Sequence, residues 1–96
     1  MPRWSRPAAE DLRNILEYIA AEDADAAKNA AQAIDVAAGM LDRFPLLGKP
    51  GRVPGSRELP LGKVPFLLVY WEGRLGVEIL RILHKRQLWP PAAASN

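Results

Sequence analysis

Apolar positions in the first half of the chain recur with the period of helices, and those of the second half with the period of strands. Ala8, Leu12, Ile15, Leu16 and Ile19 form one stripe of a 3.6-residue repeat, which predicts an amphipathic helix facing a core. Ser5 and Pro7 mark its start, a capping hydroxyl followed by a proline tolerated in the first turn, and Arg3 and Trp4 before them predict a very short strand. The acidic cluster Glu22, Asp23 and Asp25 breaks the pattern and suits the positive end of a second helix dipole. That second helix is predicted from about Ala24 to Arg43, with Ala27, Ala30, Ala31, Ile34, Ala38 and Leu41 inward, and Phe44-Pro45 ends it. Alanine at most inner positions lets two helices approach closely as an antiparallel hairpin, but buries little area per residue.

Glycine and proline punctuate residues 45–56, so an irregular connection is expected there. Arg57 to Leu61 reads as a short strand that Pro60 restricts to an edge or a bulge. Val64 to Trp71 is a continuous apolar run, Glu72-Gly73-Arg74 a hairpin turn, and Leu75 to Leu83 the partner strand. Strict alternation puts Phe66, Leu68 and Tyr70 on one face of the first strand and Leu67, Val69 and Trp71 on the other. In its neighbour, Leu80 and Ile82 oppose Val77, Ile79 and Leu83. Both faces are apolar and one helical hairpin covers one face, so another segment, a second subunit or a protein partner is expected on part of the other. The alternative is that curvature and the C-terminal tail close it internally. The expected class is α+β: a short N-terminal strand, an antiparallel two-helix hairpin, then a three-stranded antiparallel sheet. A single domain over 1–91 is followed by a frayed tail at 92–96.

Ninety-six residues, 49% of them apolar, suffice for one modest core. No cysteine and one histidine, His84, exclude a disulfide framework and a Cys/His metal site, so neither a metal nor another cofactor is expected. The lack of an apolar leader or of a membrane-length apolar run makes a cytoplasmic protein, away from membranes, the expectation. The net charge of +2 conceals an asymmetry: residues 1–48 carry five basic and eight acidic groups, residues 49–96 eight basic and three acidic. The basic second half suggests an anionic partner, unless the segregation is only that of a solvated surface.

Five blocks carry a resemblance: WSRPAAEDLRNILEY from Trp4, FPLLG from Phe44, GRVPGSRELPL from Gly51, Val69-Tyr70, and VEILRILHKRQLW from Val77. In this order they resemble the RelE/ParE superfamily of toxins from type II toxin–antitoxin pairs, over nearly the whole chain. The resemblance implies the same fold and a growth-inhibiting toxin held inactive in a hetero-oligomer by a cognate antitoxin. It also implies operator DNA bound indirectly, through the antitoxin. An antitoxin segment answers the problem of the open sheet face, and Leu67, Val69, Trp71, Val77 and Ile79 are the residues expected to meet it.

The superfamily divides between members that cut messenger RNA on the ribosome and members that poison DNA gyrase. Metal-free RNA cleavage needs a base for the 2′-hydroxyl, an acid for the leaving oxygen and cations for the phosphorane. Arg57 and Arg81 can hold phosphate, Glu58 can accept a proton and His84 can titrate near neutrality, with Arg52, Lys63, Lys85 and Arg86 as added phosphate contacts. Against this set stands the ordinary reading, an exposed Arg57–Glu58 pair at a strand edge and a strand-end histidine bonded to backbone. RNA cleavers of this superfamily usually carry an arginine shortly before the central-strand tyrosine, where this chain has Leu67 and Leu68 before Tyr70. Alternation also separates Arg81 from His84 unless the strand twists or bulges before His84. PFLLVY and RILH look more like the ParE branch. The favoured expectation is a gyrase inhibitor that works by binding, with Arg52, Arg57, Arg81, His84, Lys85, Arg86 and Trp89 meeting the target. The alternative is a ribosome-dependent messenger RNA endonuclease, and a third reading is a non-toxic relative that only binds antitoxin.

Overall fold

The computed structural model describes residues 2–62 and 64–86. Trp89, Lys63 and the tail at 92–96 therefore lie outside the described residues. Strand β1 (Arg3–Trp4) leads into helix α1 (Arg6–Glu22), followed by α2 (Ala24–Arg43), β2 (Lys49–Pro50), β3 (Arg57–Pro60), β4 (Phe66–Gly73) and β5 (Gly76–His84).

Ser5 couples three of these elements. Its hydroxyl caps α1 by accepting from the Ala8 amide (3.1 Å) and donates to the Leu80 carbonyl of β5 (2.9 Å), while its own amide donates to the Ile79 carbonyl (2.9 Å). Asp23 ends one helix and begins the next, its amide donating to the Ile19 carbonyl (2.9 Å) and its carboxylate accepting from the Ala26 amide (3.1 Å). The α2 positions Ala27, Ala30, Ile34, Ala38 and Leu41 are buried, as their spacing predicts. No helix among the described residues is long and apolar enough to cross a membrane.

The sheet has five strands in the order β1-β5-β4-β3-β2. Two features add to the predicted three-stranded core. The irregular connection supplies β2, antiparallel to β3 through Lys49↔Glu58 and Pro50↔Arg57, and β1 lies parallel to β5, making the sheet mixed. The hairpin turn is shorter and later than predicted, on Arg74-Leu75 in place of Glu72-Gly73-Arg74, and Gly76 leaves it at φ 105°, where a side chain would be strained.

The face assignment of β5 needs correction. A register shift pairs Val69 with Arg81 but Tyr70 with Ile79, leaving Leu80 as an extra residue. The bulge resets alternation, so Val77, Ile79 and Ile82 share the helix-facing core with Leu68, Tyr70, Ile34 and Leu41, while Leu80 packs with Leu83, Leu67 and Val69. Leu67 (7% exposed), Val69 (0%) and Leu83 (0%) are already buried within the single chain, so the second face is not the open apolar surface that alternation suggested.

Candidate functional site

Each of the four residues proposed for RNA cleavage has a partner of its own, although Glu58 and Arg81 flank Val69 in one cross-strand row. In β3, Arg57 pairs with Tyr70 and Glu58 with Val69, so the two neighbours point to opposite faces. The Arg57 guanidinium donates to the Gly48 carbonyl (2.7 Å). Glu58, nearly fully buried, accepts from the Arg52 amide (3.0 Å) and Nε (3.1 Å) on Oε2 and from Arg52 Nη2 (3.1 Å) on Oε1. Burial pushes the Glu58 carboxyl up. The Arg52 hydrogen bonds and the charges of Arg52 and Lys49 outweigh it and hold the group below the ordinary glutamate range. A carboxylate so held is a weak base and an effective anchor.

Arg81 shares the Val69 row with Glu58 and bonds to α1. Its Nε and Nη2 donate to the Asp11 carboxylate of α1 (2.7 and 3.1 Å), and Asp11 Oδ2 also accepts from the Ile82 amide (3.0 Å). The Asp11 hydrogen bond raises the Arg81 pKa further above its usual value, so the guanidinium stays charged. Asp11 thus occupies an N–H on the side of β5 where β1 has already ended, tying α1 to the sheet. His84 stacks edge-on with Phe66, centroids 5.5 Å apart at 82°, and its Nδ1 accepts from the Arg86 amide (3.1 Å). The bulge lies before Arg81, so alternation between Arg81 and His84 is unbroken.

Sequence reasoning missed three anchors. Asp11 is one. Tyr70, fully buried in the apolar run, accepts from the Gly48 amide and donates to the Pro45 carbonyl, each at 2.8 Å. A tyrosine inside a buried strand must satisfy its hydroxyl, and that was the available signal. Gly48 is the third, since a Cβ there would lie 2.9 Å from the Tyr70 ring, the Tyr70 hydroxyl and the Glu58 carbonyl. Together Tyr70, Arg57 and Glu58 fasten the connection between α2 and β3 to the sheet.

Between that connection and the sheet lies a cavity of about 630 Å3 lined by Lys49, Arg52, Glu58, Leu67 and Lys85 with Pro50, Gly51 and Pro60. It brings together two of the expected target-binding residues, Arg52 and Lys85, and adds Lys49. Of the sheet residues expected to meet an antitoxin, Leu67, Val69, Val77 and Ile79 are buried and Trp71 is 45% exposed, its Nε1 donating to Glu78 (3.0 Å). Exposed apolar side chains instead gather on α2 and just after it: Val36, Met40, Phe44, Leu46 and Leu47.

The family model described as "ParE toxin of type II toxin-antitoxin system, parDE" matches residues 3–89. The chain is 39% identical over 88 residues to "Putative toxin Y4kP" of Sinorhizobium fredii, covering 92% of this chain and 91% of that protein. It also superimposes with a TM-score of 0.79 on a chain from a structure titled "Chromosomal ParDE TA system from P. aeruginosa", at 30% identity, covering 85% of this chain and 91% of that one. With the strand, helical hairpin and sheet in place and the match running from β1 past the end of β5, the chain belongs to the ParE toxin family of type II toxin–antitoxin systems.

Proposed function

We propose that this toxin inhibits DNA gyrase by binding and is neutralised by a cognate antitoxin that covers its exposed apolar surface. The observation that supports the binding mode is the engagement of the candidate catalytic groups with other partners. Glu58 is committed to Arg52 and held as a weak base, Arg81 to Asp11 and Arg57 to the Gly48 carbonyl, so the candidate proton acceptor and both candidate catalytic arginines are already engaged, although Arg52 and Lys85 gather near Glu58. General acid–base cleavage requires such groups free to meet the substrate, with heavy atoms within hydrogen-bond reach of the reacting groups. Binding requires only a surface. Lys85 and Arg86 at the end of β5, with Arg52 across the cavity, form the target face; Arg81, His84 and Arg57 support it from within.

The antitoxin docks, in this reading, along Val36, Met40, Phe44, Leu46 and Leu47, exposed apolar side chains on α2 and just after it, since exposed apolar groups together mark interaction surfaces. The toxin's family supports an antitoxin partner.

The test is induction of the full chain without its antitoxin, with plasmid supercoiling and transcript integrity measured together. Lost supercoiling and double-strand breaks with intact messenger RNA are expected. Codon-phased cleavage of transcripts with normal supercoiling overturns the proposal in favour of a ribosome-dependent endonuclease. Normal growth with folded protein overturns both.

A further inference from the structure

The cavity beside β3 has a charge imbalance that the anchoring role of Glu58 leaves unexplained. Among the described residues, three cations, Lys49, Arg52 and Lys85, line it against the one carboxylate of Glu58. That carboxylate already spends both oxygens on Arg52, engaging its Nε and Nη2 side-on. A guanidinium has five N–H donors in a fixed fork. The side-on pair uses two, so Glu58 fixes the plane of Arg52 and leaves its remaining donors available, on a side chain that is 45% exposed. Neither Lys49 nor Lys85 forms an ion pair with a described carboxylate, and both are exposed. Because Glu58 is held below the ordinary glutamate range, it is ionised at neutral pH, and the described lining keeps its excess of positive charge there. A concave wall of low polarity, made by Pro50, Pro60 and Leu67, concentrates that field.

We infer that this cavity is a phosphoryl-anion site, in which Arg52, oriented by Glu58, grips the anion and Lys49 and Lys85 close over it from β2 and the end of β5. The planar fork matches phosphate geometry, and the two flexible ammonium groups act as point charges. Glu58 is a positioning residue and no proton moves. The inference deepens the proposed binding function by naming what part of the target face recognises. Its test reads anion binding directly, so it stands or falls separately from gyrase inhibition.

The phosphoryl group can come from free phosphate or from a nucleic-acid backbone, and two probes separate these sources. The full chain is titrated with inorganic phosphate and with a short oligothymidylate while its amide resonances are followed. Saturable shifts at Gly51, Arg52, Glu58 and Leu67 are expected. An oligothymidylate that binds at least about ten-fold tighter assigns the site to nucleic-acid backbone, and equal affinities assign it to free phosphate. The Lys49→Gln/Lys85→Gln double variant, changed only at exposed positions, should keep its melting temperature and bind about ten-fold more weakly. In the oligothymidylate arm its slope of log affinity on log salt should fall by roughly 1.4, about 0.7 for each lost contact on a single strand. The charge-matched control Arg3→Gln/Arg74→Gln, at the opposite end of the sheet, should bind like the parent. Shifts scattered over the surface, no saturation with either probe, or equal weakening in the control pair would overturn the inference.

Discussion

Glu58 illustrates how one buried charge does structural work. Its carboxyl is held below its ordinary range in the folded chain and returns to that range on unfolding, so the unfolded chain binds its proton more readily. The stabilisation is therefore complete above the unfolded pKa of about 4.5 and is lost as pH falls through the lower folded value. Glu58→Gln should cost about 2 kcal/mol at pH 7, within the span of charged hydrogen bonds, and the gap between variant and parent should narrow below pH 4 in denaturant melts. A pH-independent gap would show that the carboxylate's charge contributes nothing. This residue was legible only as a candidate. The sequence marks an Arg57–Glu58 pair, but adjacency in a strand sends the two side chains to opposite faces, and the real partner of Glu58, six positions earlier, is brought there by β2.

Among the elements, the joint between α1 and β5 carries a second ion pair. Asp11 and Arg81 are 16% and 26% exposed at their side chains, and Asp11 also serves the Ile82 amide. Asp11→Asn and Arg81→Gln should each lower stability by about 2 kcal/mol, and a double-mutant cycle should return a coupling of about 1–2 kcal/mol. Additive effects in the melts would mean that the two groups act independently. Helix boundaries were readable because they depend on local chemistry: Ser5 and Asp23 cap with their own side chains, and Pro45 follows the last turn. Strand β2 was not, because two residues containing a proline have no alternation to detect and exist as a strand only through pairing with β3. The bulge at Leu80 was equally hidden. Nothing in LGVEILRIL marks it, yet it alone decides that Val77 and Ile79 join the helix-covered core.

For the whole molecule the consequential surface is the apolar strip on and after α2. Met40 is 41% exposed, so Met40→Glu should leave stability within about 0.5 kcal/mol of the parent, as expected of a surface substitution. The same change should weaken capture by the proposed antitoxin about ten-fold or more, read by calorimetry on the purified pair. Unchanged affinity would move the antitoxin to another surface, of which the Trp71 region is the next candidate. The amino-acid sequence alone carried the α+β class, the helical hairpin and most of its inner positions, the last three strands in their order, the basic second half and the resemblance to this toxin superfamily. All of these rest on short-range periodicity, capping chemistry or local wording. Three-dimensional packing set which sheet face each β5 residue takes, the closing of the second face within the chain, and the meeting of Lys49, Arg52 and Lys85 around Glu58. Those outcomes depend on strand register and on contacts between residues distant in sequence, which a local pattern does not encode.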